Sequence, residues 1–367
     1  MTSTTMSEHA PEIEEYEQPT KKRVTALSGR RPFRDITNLH VAVVAIDGKK
    51  QPSQDLDTPV ADSSVPRVLP QASPEEETIA TVKTSESAGD DVALLDLTFE
   101  TEDDEELLAR EIYERLLQKN MNNTVTSDYF NLQPKLNIKM RSILVDWLVE
   151  VHYRFKLQTQ TLFLAVNYID RFLATTTIER DQLQLVGVAG LFIAGKVEEI
   201  DPIVLGDMIY ISDDMFTGEQ IMDMERTMLA ALHFDLVAPT LESFVPYLTK
   251  TLEVESTVKH FSSYFSQQAL LHLPLLTTYA PGMLAAGCLY LAYAAANSEQ
   301  PPSDWVLEWE HVTKFSLPDL TRCLQDLCAT LMVPSRNLEA LERKFSSKRY
   351  SRVAQHPLEQ LSSFCCL

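Results

Sequence analysis

Two apolar stretches rich in small residues lie about one hundred residues apart in this chain of 367 residues. They cover residues 183–196 and 281–294. Each stretch is apolar nearly all round, so a helix formed by it must run through a core rather than along its edge. The glycines and alanines in both would let neighbouring helices approach closely. The pair therefore predicts two helical bundles, each built around its own buried helix.

A stretch that precedes the first apolar helix is amphipathic instead. At 3.6 residues per turn, one face of Lys139–Val151 is apolar and consists of Met140, Ile143, Leu144, Trp147, Leu148 and Val151. The chain has only 10 glycines against 19 prolines, which favours helices over glycine-rich β turns. These patterns predict an all-α protein.

Two charges stand on otherwise apolar helices. Lys196 ends the first apolar stretch, and Glu225 lies within the apolar stripe of 217–232. A buried acid is costly unless it is paired. A lysine near a helix C-terminus is also favoured by the helix dipole, by about 0.3–1 kcal/mol, so a purely local explanation of Lys196 stays open. The simplest explanation that accounts for both charges is that they lie at the edge of an apolar surface, and that another protein covers this surface.

The composition of the chain argues against several classes of function. A formal net charge of -21 argues against binding to a nucleic-acid backbone and favours protein partners. The five cysteines lack metal-ligand spacing and suggest a reduced intracellular compartment, and no apolar run is long enough for a membrane span. Because Walker, HExxH and GxSxG motifs are absent, we expect neither catalysis nor a metal or other cofactor.

The two ends of the chain differ from its middle. Residues 1–102 are rich in Ser, Thr, Pro and Glu and poor in aromatics, which predicts a disordered tail. A basic cluster, Lys21-Lys22-Arg23, is a weak signal for nuclear import, and we expect the protein in nucleus and cytoplasm. Residues 335–367 are polar and basic, and we expect them to fray.

The run MRSILVDWLVEV at 140–151 resembles the opening of the cyclin box in mitotic cyclins, most closely the A type. NYIDRF at 167–172 and YISDD at 210–214 extend the resemblance. It implies a tandem cyclin fold of two five-helix bundles. The first cyclin box, with a preceding helix, would cover 103–238, and the second 239–334.

The resemblance also implies a function. Such a chain would bind and activate a cyclin-dependent serine/threonine kinase without being an enzyme itself. It would help select substrates and control mitotic cell-cycle transitions from G1/S to G2/M. The implied kinase contacts are Lys196, Glu225, Ile112, Phe234 and Leu236. Arg141 and Asp170 would form a structural pair that orients two helices.

A second implied site is a shallow groove that docks Arg-x-Leu peptides of substrates and inhibitors. Its residues would be Met140, Ile143, Leu144, Trp147, Glu150, Leu183 and Gln184. The acid would meet the peptide's arginine, and the groove would take its leucine. A core-only interpretation competes, because one helix cannot both bury and expose a residue. We expect Met140 and Trp147 to line an edge while Leu148 and Val151 point inward.

In the tail, the segment 30–38 resembles the destruction box by which a ubiquitin ligase recognises mitotic cyclins. The matching positions are Arg30, Asp35, Ile36 and Asn38, with Phe33 where leucine is usual. Two other functions stay open. A transcription-type cyclin fold that binds promoter DNA would show basic helices or a zinc ribbon. A scaffold would bind a kinase without stimulating it.

Overall fold

The computed structural model describes residues 102–119, 125, 129–333 and 338–364, and every regular element within them is helical. The α-helices are α1 Glu102–Lys119, α2 Ile138–Phe155, α3 Thr159–Leu173, α4 Leu183–Glu198, α5 Leu205–Ile211, α6 Gly218–Ala231, α7 Leu241–Thr251, α8 Ser256–Leu271, α9 Leu273–Thr278, α10 Pro281–Asn297, α11 Ser303–Thr313, α12 Leu317–Leu331 and α13 Ala340–Phe345.

Helix α4 is the centre of the first bundle, with α2, α3, α5 and α6 packed against it. Its small residues make this packing possible. A Cβ added at Gly187 would lie 2.6 Å from Leu144 Cδ1 on α2, and one at Gly190 would lie 2.7 Å from Ile169 Cγ1 on α3. The close approach that the sequence predicted for this helix is confirmed.

Helix α10 has the same position in the second bundle, where α7, α8, α9 and α12 contact it. The residues of α10 are buried, except for Tyr293 and those near the two ends of the helix. The two apolar stretches are therefore the two central helices. The prediction of an all-α fold with two tandem bundles is confirmed for the part of the chain described here.

Helix α1 packs mainly against α7 of the second bundle. Tyr113 is buried there, and its hydroxyl donates to the Thr313 carbonyl at 2.9 Å. Its ring stacks on Tyr247 with 4.5 Å between centroids. Ile112, a predicted kinase contact, remains exposed beside it.

Arg141 and Asp170 form the predicted pair, and both are buried. The guanidinium donates from Nε and Nη2 to the two carboxylate oxygens at 2.7 and 2.6 Å, a bidentate geometry. Its Nη1 donates to the Leu270 carbonyl of α8 at 2.8 Å, and Tyr129 donates to Asp170 at 2.9 Å. The pair thus joins α2 to α3 and the first bundle to the second.

The prediction that residues from 335 onward fray is wrong for 338–364. Leu341, Phe345, Val353 and Leu361 are buried, and α13 packs against both α2 and α8. The apolar residues are sparse, so the polar and basic composition concealed them. Leu341 and Phe345 lie four residues apart on one face of α13, and this face covers the joint between the bundles.

Lys344 is the only buried lysine among the described residues, and its Nζ donates to Gln267 Oε1 at 2.7 Å. Burial lowers the pKa of Lys344 to about 7, which Glu242 opposes and Arg349 reinforces. Burial likewise raises the pKa of Glu242 to about 7 and lowers that of His152 to about 3. The C-terminal segment therefore carries a titrating group into the joint.

Replacing Asp170 by alanine should lower the free energy of unfolding by about 3–5 kcal/mol, because it leaves Arg141 buried without its counter-charge. Urea denaturation measures the change. The matched control is Asp235→Ala, which removes the exposed partner of Arg171 at 3.6 Å and should cost about 1 kcal/mol or less. Equal losses in the two variants would contradict a special role for the buried pair.

Stability should also depend on Lys344 at alkaline pH. Between about 7 and its ordinary value of 10.5, the unfolded chain holds one more proton at this residue than the folded chain does. The urea midpoint should therefore rise with pH in this window. Lys344→Met should abolish that part of the rise, whereas Lys348→Met, at an exposed site in the same segment, should retain it. An unchanged rise in Lys344→Met would refute the assignment.

Candidate functional site

The two charges that stand on apolar helices meet at the surface of the first bundle. Lys196 lies in the last turn of α4, and Glu225 lies on α6, which begins with a capping box of Thr217 and Gln220. Lys196 Nζ is 2.5 Å from Glu225 Oε1 and 3.9 Å from the centre of the Phe192 ring. Cation–π attraction and the ion pair together hold the ammonium in place.

The pair is formed but not enclosed. The side chain of Lys196 is 44% exposed and that of Glu225 is 12% exposed. Glu225 thus obtains the partner that a nearly buried acid requires, and the Lys196 side chain keeps part of its surface accessible to another molecule. The local explanation of Lys196 by the helix dipole remains compatible with its position in the last turn of α4.

Large apolar side chains are exposed on the two helices that carry this pair and in the segments that follow those helices. Val197 and Ile200 follow Lys196, and Met222 lies one turn before Glu225 on α6. Phe234, a predicted kinase contact, is 69% exposed and adopts the left-handed backbone region with φ 57°. We call Val197, Ile200, Met222 and Phe234, with Lys196 and Glu225, the α4–α6 surface. An exposed apolar group of this kind is typical of a protein contact.

Leu236, the other contact predicted in this loop, is only half-exposed and packs against the core. Its carbonyl accepts a hydrogen bond from the Tyr168 hydroxyl at 2.7 Å, which fixes the loop after α6. Leu236 therefore contributes mainly to the position of Phe234.

Glu199 has a role that the sequence did not indicate. Its Oε1 accepts from the Gln158 backbone at 2.7 Å and from the Thr161 hydroxyl at 2.5 Å, at the start of α3. This contact fixes the end of α4, next to Lys196. Ile200 and Met222 were also missed. Met222 lies three residues before Glu225 on α6, and this helical spacing is a signal that would have found it. Ile200 lies in the bend after α4, where helical spacing gives no signal.

The predicted docking groove is only partly open. Asn137 caps α2 by accepting from the Met140 backbone at 3.0 Å, and α2 then presents its apolar face to the core. Four of the seven predicted residues are buried, namely Met140, Leu144, Leu183 and Gln184. Met140 is 5% exposed, so the expectation that it lines an edge is wrong. Ile143 and Trp147 are half-buried, and Glu150 is exposed.

Helix α13 lies beside these accessible residues. The Ala340 backbone donates to Asp146 Oδ1 at 3.1 Å, and Arg343 Nη1 is 3.2 Å from Glu150 Oε1. Burial raises the pKa of Asp146 to about 6, while the Ala340 contact and Arg343 act against this shift. The acid that was predicted to meet a docking arginine is thus already paired with an arginine of the same chain.

Other classes of site find no support in the described residues. No group of three or more His, Cys, Asp or Glu there is placed to hold a metal ion. None of the described helices is both long and apolar enough for a membrane crossing. The predicted destruction box lies outside the described residues, and its assignment stays a prediction.

Comparison with known proteins gives the same family for both bundles. Residues 111–237 match the cyclin N-terminal domain and residues 239–359 match the cyclin C-terminal domain. The G2/mitotic-specific cyclin-A of Patella vulgata is 37% identical over 247 residues, which cover 67% of this chain and 57% of that relative. Cyclin-A2 of Xenopus laevis is 36% identical over 258 residues, which cover 70% of this chain and 61% of that protein.

A viral cyclin from herpesvirus saimiri has the same fold, with a TM-score of 0.55 at 21% identity. The alignment covers 63% of this chain and 99% of the viral one. The chain spans 57% and 61% of the length of the two cyclin-A relatives that it matches. The two domain matches together extend over more than half of the chain. The chain therefore belongs to the cyclin family, and its relatives include A-type cyclins.

Proposed function

We propose that this chain is a regulatory subunit that binds and activates a cyclin-dependent serine/threonine kinase and helps to select its substrates. Through these actions it would control mitotic cell-cycle transitions, from G1/S to G2/M. The chain supplies binding energy, and catalysis belongs to the partner. Membership of the cyclin family and its A-type relatives support this proposal.

The single observation that carries the proposal is the α4–α6 surface. Its apolar side chains would provide contact area, and the half-exposed side chain of Lys196 would provide a donor for backbone carbonyls of a partner. Activation of a kinase requires its regulatory helix to bring a glutamate to the catalytic lysine. A rigid surface at the joint of α4 and α6 is suited to hold such a helix in place.

The alternative functions have less support. Promoter DNA would need clustered cations, whereas the chain carries a net charge of -21. No metal-ligating group that could form a zinc ribbon occurs in the described residues. A scaffold that binds a kinase without stimulating it would use the same surface, so only a measurement of kinase activity separates it from an activator.

We propose a docking function for the accessible residues of α2. Ile143 and Trp147 would contact the leucine of an Arg-x-Leu peptide, and Glu150 would attract its arginine. The four buried residues of the predicted groove would form its floor. The half-exposed indole of Trp147 and the exposed carboxylate of Glu150 support this assignment.

Control of abundance and location would come from the N-terminal tail. Arg30, Phe33, Asp35, Ile36 and Asn38 would be recognised as a destruction box by a ubiquitin ligase. The basic cluster at Lys21-Lys22-Arg23 would direct part of the protein to the nucleus, with the rest in the cytoplasm. Both proposals are supported by sequence motifs alone.

The double variant Lys196→Ala/Glu225→Ala should fold normally but lose most of its stimulation of a cyclin-dependent kinase. It removes both charges together, so neither remains unpaired. Truncation of central interface residues typically weakens binding by about tenfold or more. A histone-kinase assay over a range of chain concentrations measures the effect, and circular dichroism checks the fold.

The matched control is Lys135→Ala/Glu179→Ala. This pair also joins a lysine to a glutamate, at 2.6 Å, but it is exposed and lies away from the α4–α6 surface. Stimulation should be unchanged in the control. If the Lys196/Glu225 variant stimulates the kinase as well as the control does, the assigned contact is wrong. If the wild-type chain binds a kinase without stimulating it, the scaffold function is favoured.

Trp147→Ala should raise KM by about tenfold for a protein substrate that carries Arg-x-Leu, while activity on a short peptide without the motif stays the same. Met140 is unsuitable for this test, because truncation of so buried a side chain would damage the core. Tyr153→Ala on the same helix is the control, since it also shortens a partly exposed aromatic residue. Equal losses on both substrates would indicate a damaged fold and contradict docking.

A further inference from the structure

Arg343 places a positive charge at the acid of the proposed docking groove. Its Nη1 is 3.2 Å from Glu150 Oε1, and the two side chains are 51% and 48% exposed. Arg343 also approaches Glu339 Oε2, one turn earlier on its own segment, at 3.7 Å. The guanidinium is therefore held between a carboxylate of α2 and a carboxylate next to α13.

The position of Arg343 is set by the fold and not by the ion pair alone. Leu341 and Phe345 on the same short helix are buried, and Lys344 is buried against Gln267 of α8. The Ala340 backbone is tied to Asp146 on α2 at 3.1 Å. Because these contacts anchor α13, the backbone of Arg343 stays near Glu150 even when the exposed ion pair opens.

Asp146 and Glu150 lie one turn apart on α2, and the positive charge of Arg343 attracts both carboxylates. An arginine of an approaching peptide would meet this positive charge at the same place. The attraction that Glu150 offers is then partly cancelled by repulsion between two guanidinium groups. A peptide's leucine, in contrast, would contact Trp147 and Ile143 without this penalty.

We propose that Arg343 is a specificity-determining residue of the docking groove: an internal cation that neutralises Glu150 and weakens the groove's preference for arginine in a docking peptide. The inference rests on the docking function proposed above. It assigns to the C-terminal segment the role of shifting recognition from the arginine of the motif towards its leucine.

The test compares two fluorescent peptides that are identical except for Arg or Ala at the first position of Arg-x-Leu. Binding to the full chain in complex with its kinase is measured by fluorescence polarisation. Arg343→Gln should bind the arginine peptide about two- to fivefold more tightly than wild type and the alanine peptide equally well, as expected for an exposed ion pair. At high salt the gain should shrink, because screening weakens interactions between exposed charges.

Two further variants complete the comparison. Lys348→Gln removes the same charge from an exposed site on the same segment and should leave both affinities unchanged. Glu150→Gln should abolish the preference for arginine, with or without Arg343. An equal gain for both peptides in Arg343→Gln, or no gain for either, would overturn the inference while leaving docking intact. Failure of wild type to bind either peptide, with kinase stimulation preserved, would overturn docking itself.

Discussion

The guanidinium of Arg141 is the point where three parts of the chain meet. It forms a bidentate pair with Asp170 of α3 and donates to the Leu270 carbonyl of α8, while Tyr129 completes the contacts of the carboxylate. A buried charge of this kind is tolerated only when its donors are satisfied. Because the donors of Arg141 must be satisfied, α2 is fixed against α3, and the second bundle is fixed in position against the first. Both proposed sites depend on helices positioned in this way.

The need of a buried charge for a partner also explains why the α4–α6 surface differs from the interior. Arg141 and Asp170 satisfy each other inside the protein, whereas Lys196 and Glu225 form a pair in which the lysine side chain remains half-exposed. Apolar residues are exposed in the segments that follow α4 and α6, among them Ile200 and Phe234. Removal of such side chains from water is favourable and requires a partner. The first bundle thus combines a closed ion pair that orders the fold with an open one that we assign to kinase binding.

The sequence predicted most accurately the features that are encoded locally. Helical spacing and small residues identified the two central helices, and the motif match identified the pair of Arg141 and Asp170. Burial of Met140 depends on how α2 rotates against its neighbours, and a helical pattern does not set this rotation. The contact between Arg343 and Glu150 joins residues 193 positions apart. It was missed because the few apolar residues that anchor α13 stand in a polar and basic segment.

The C-terminal segment, residues 338–364, connects the two bundles. It contacts α2 of the first bundle and α8 of the second, so it belongs to neither alone. Buried Lys344 is costly in such a place, and Gln267 and Glu242 reduce that cost by hydrogen bonding and by opposite charge. The same short helix then carries Arg343 to the edge of the proposed docking groove. The buried residues that anchor α13 in the fold therefore also position Arg343, which we propose affects peptide specificity.

Hydrogen–deuterium exchange of the chain, with and without an active cyclin-dependent kinase, would show whether a kinase covers the α4–α6 surface. We expect the complex to slow exchange in peptides that cover 199–204 and 233–238, the segments that follow α4 and α6. Protection confined to α11 and α12 of the second bundle, with both segments unchanged, would show that the kinase binds elsewhere.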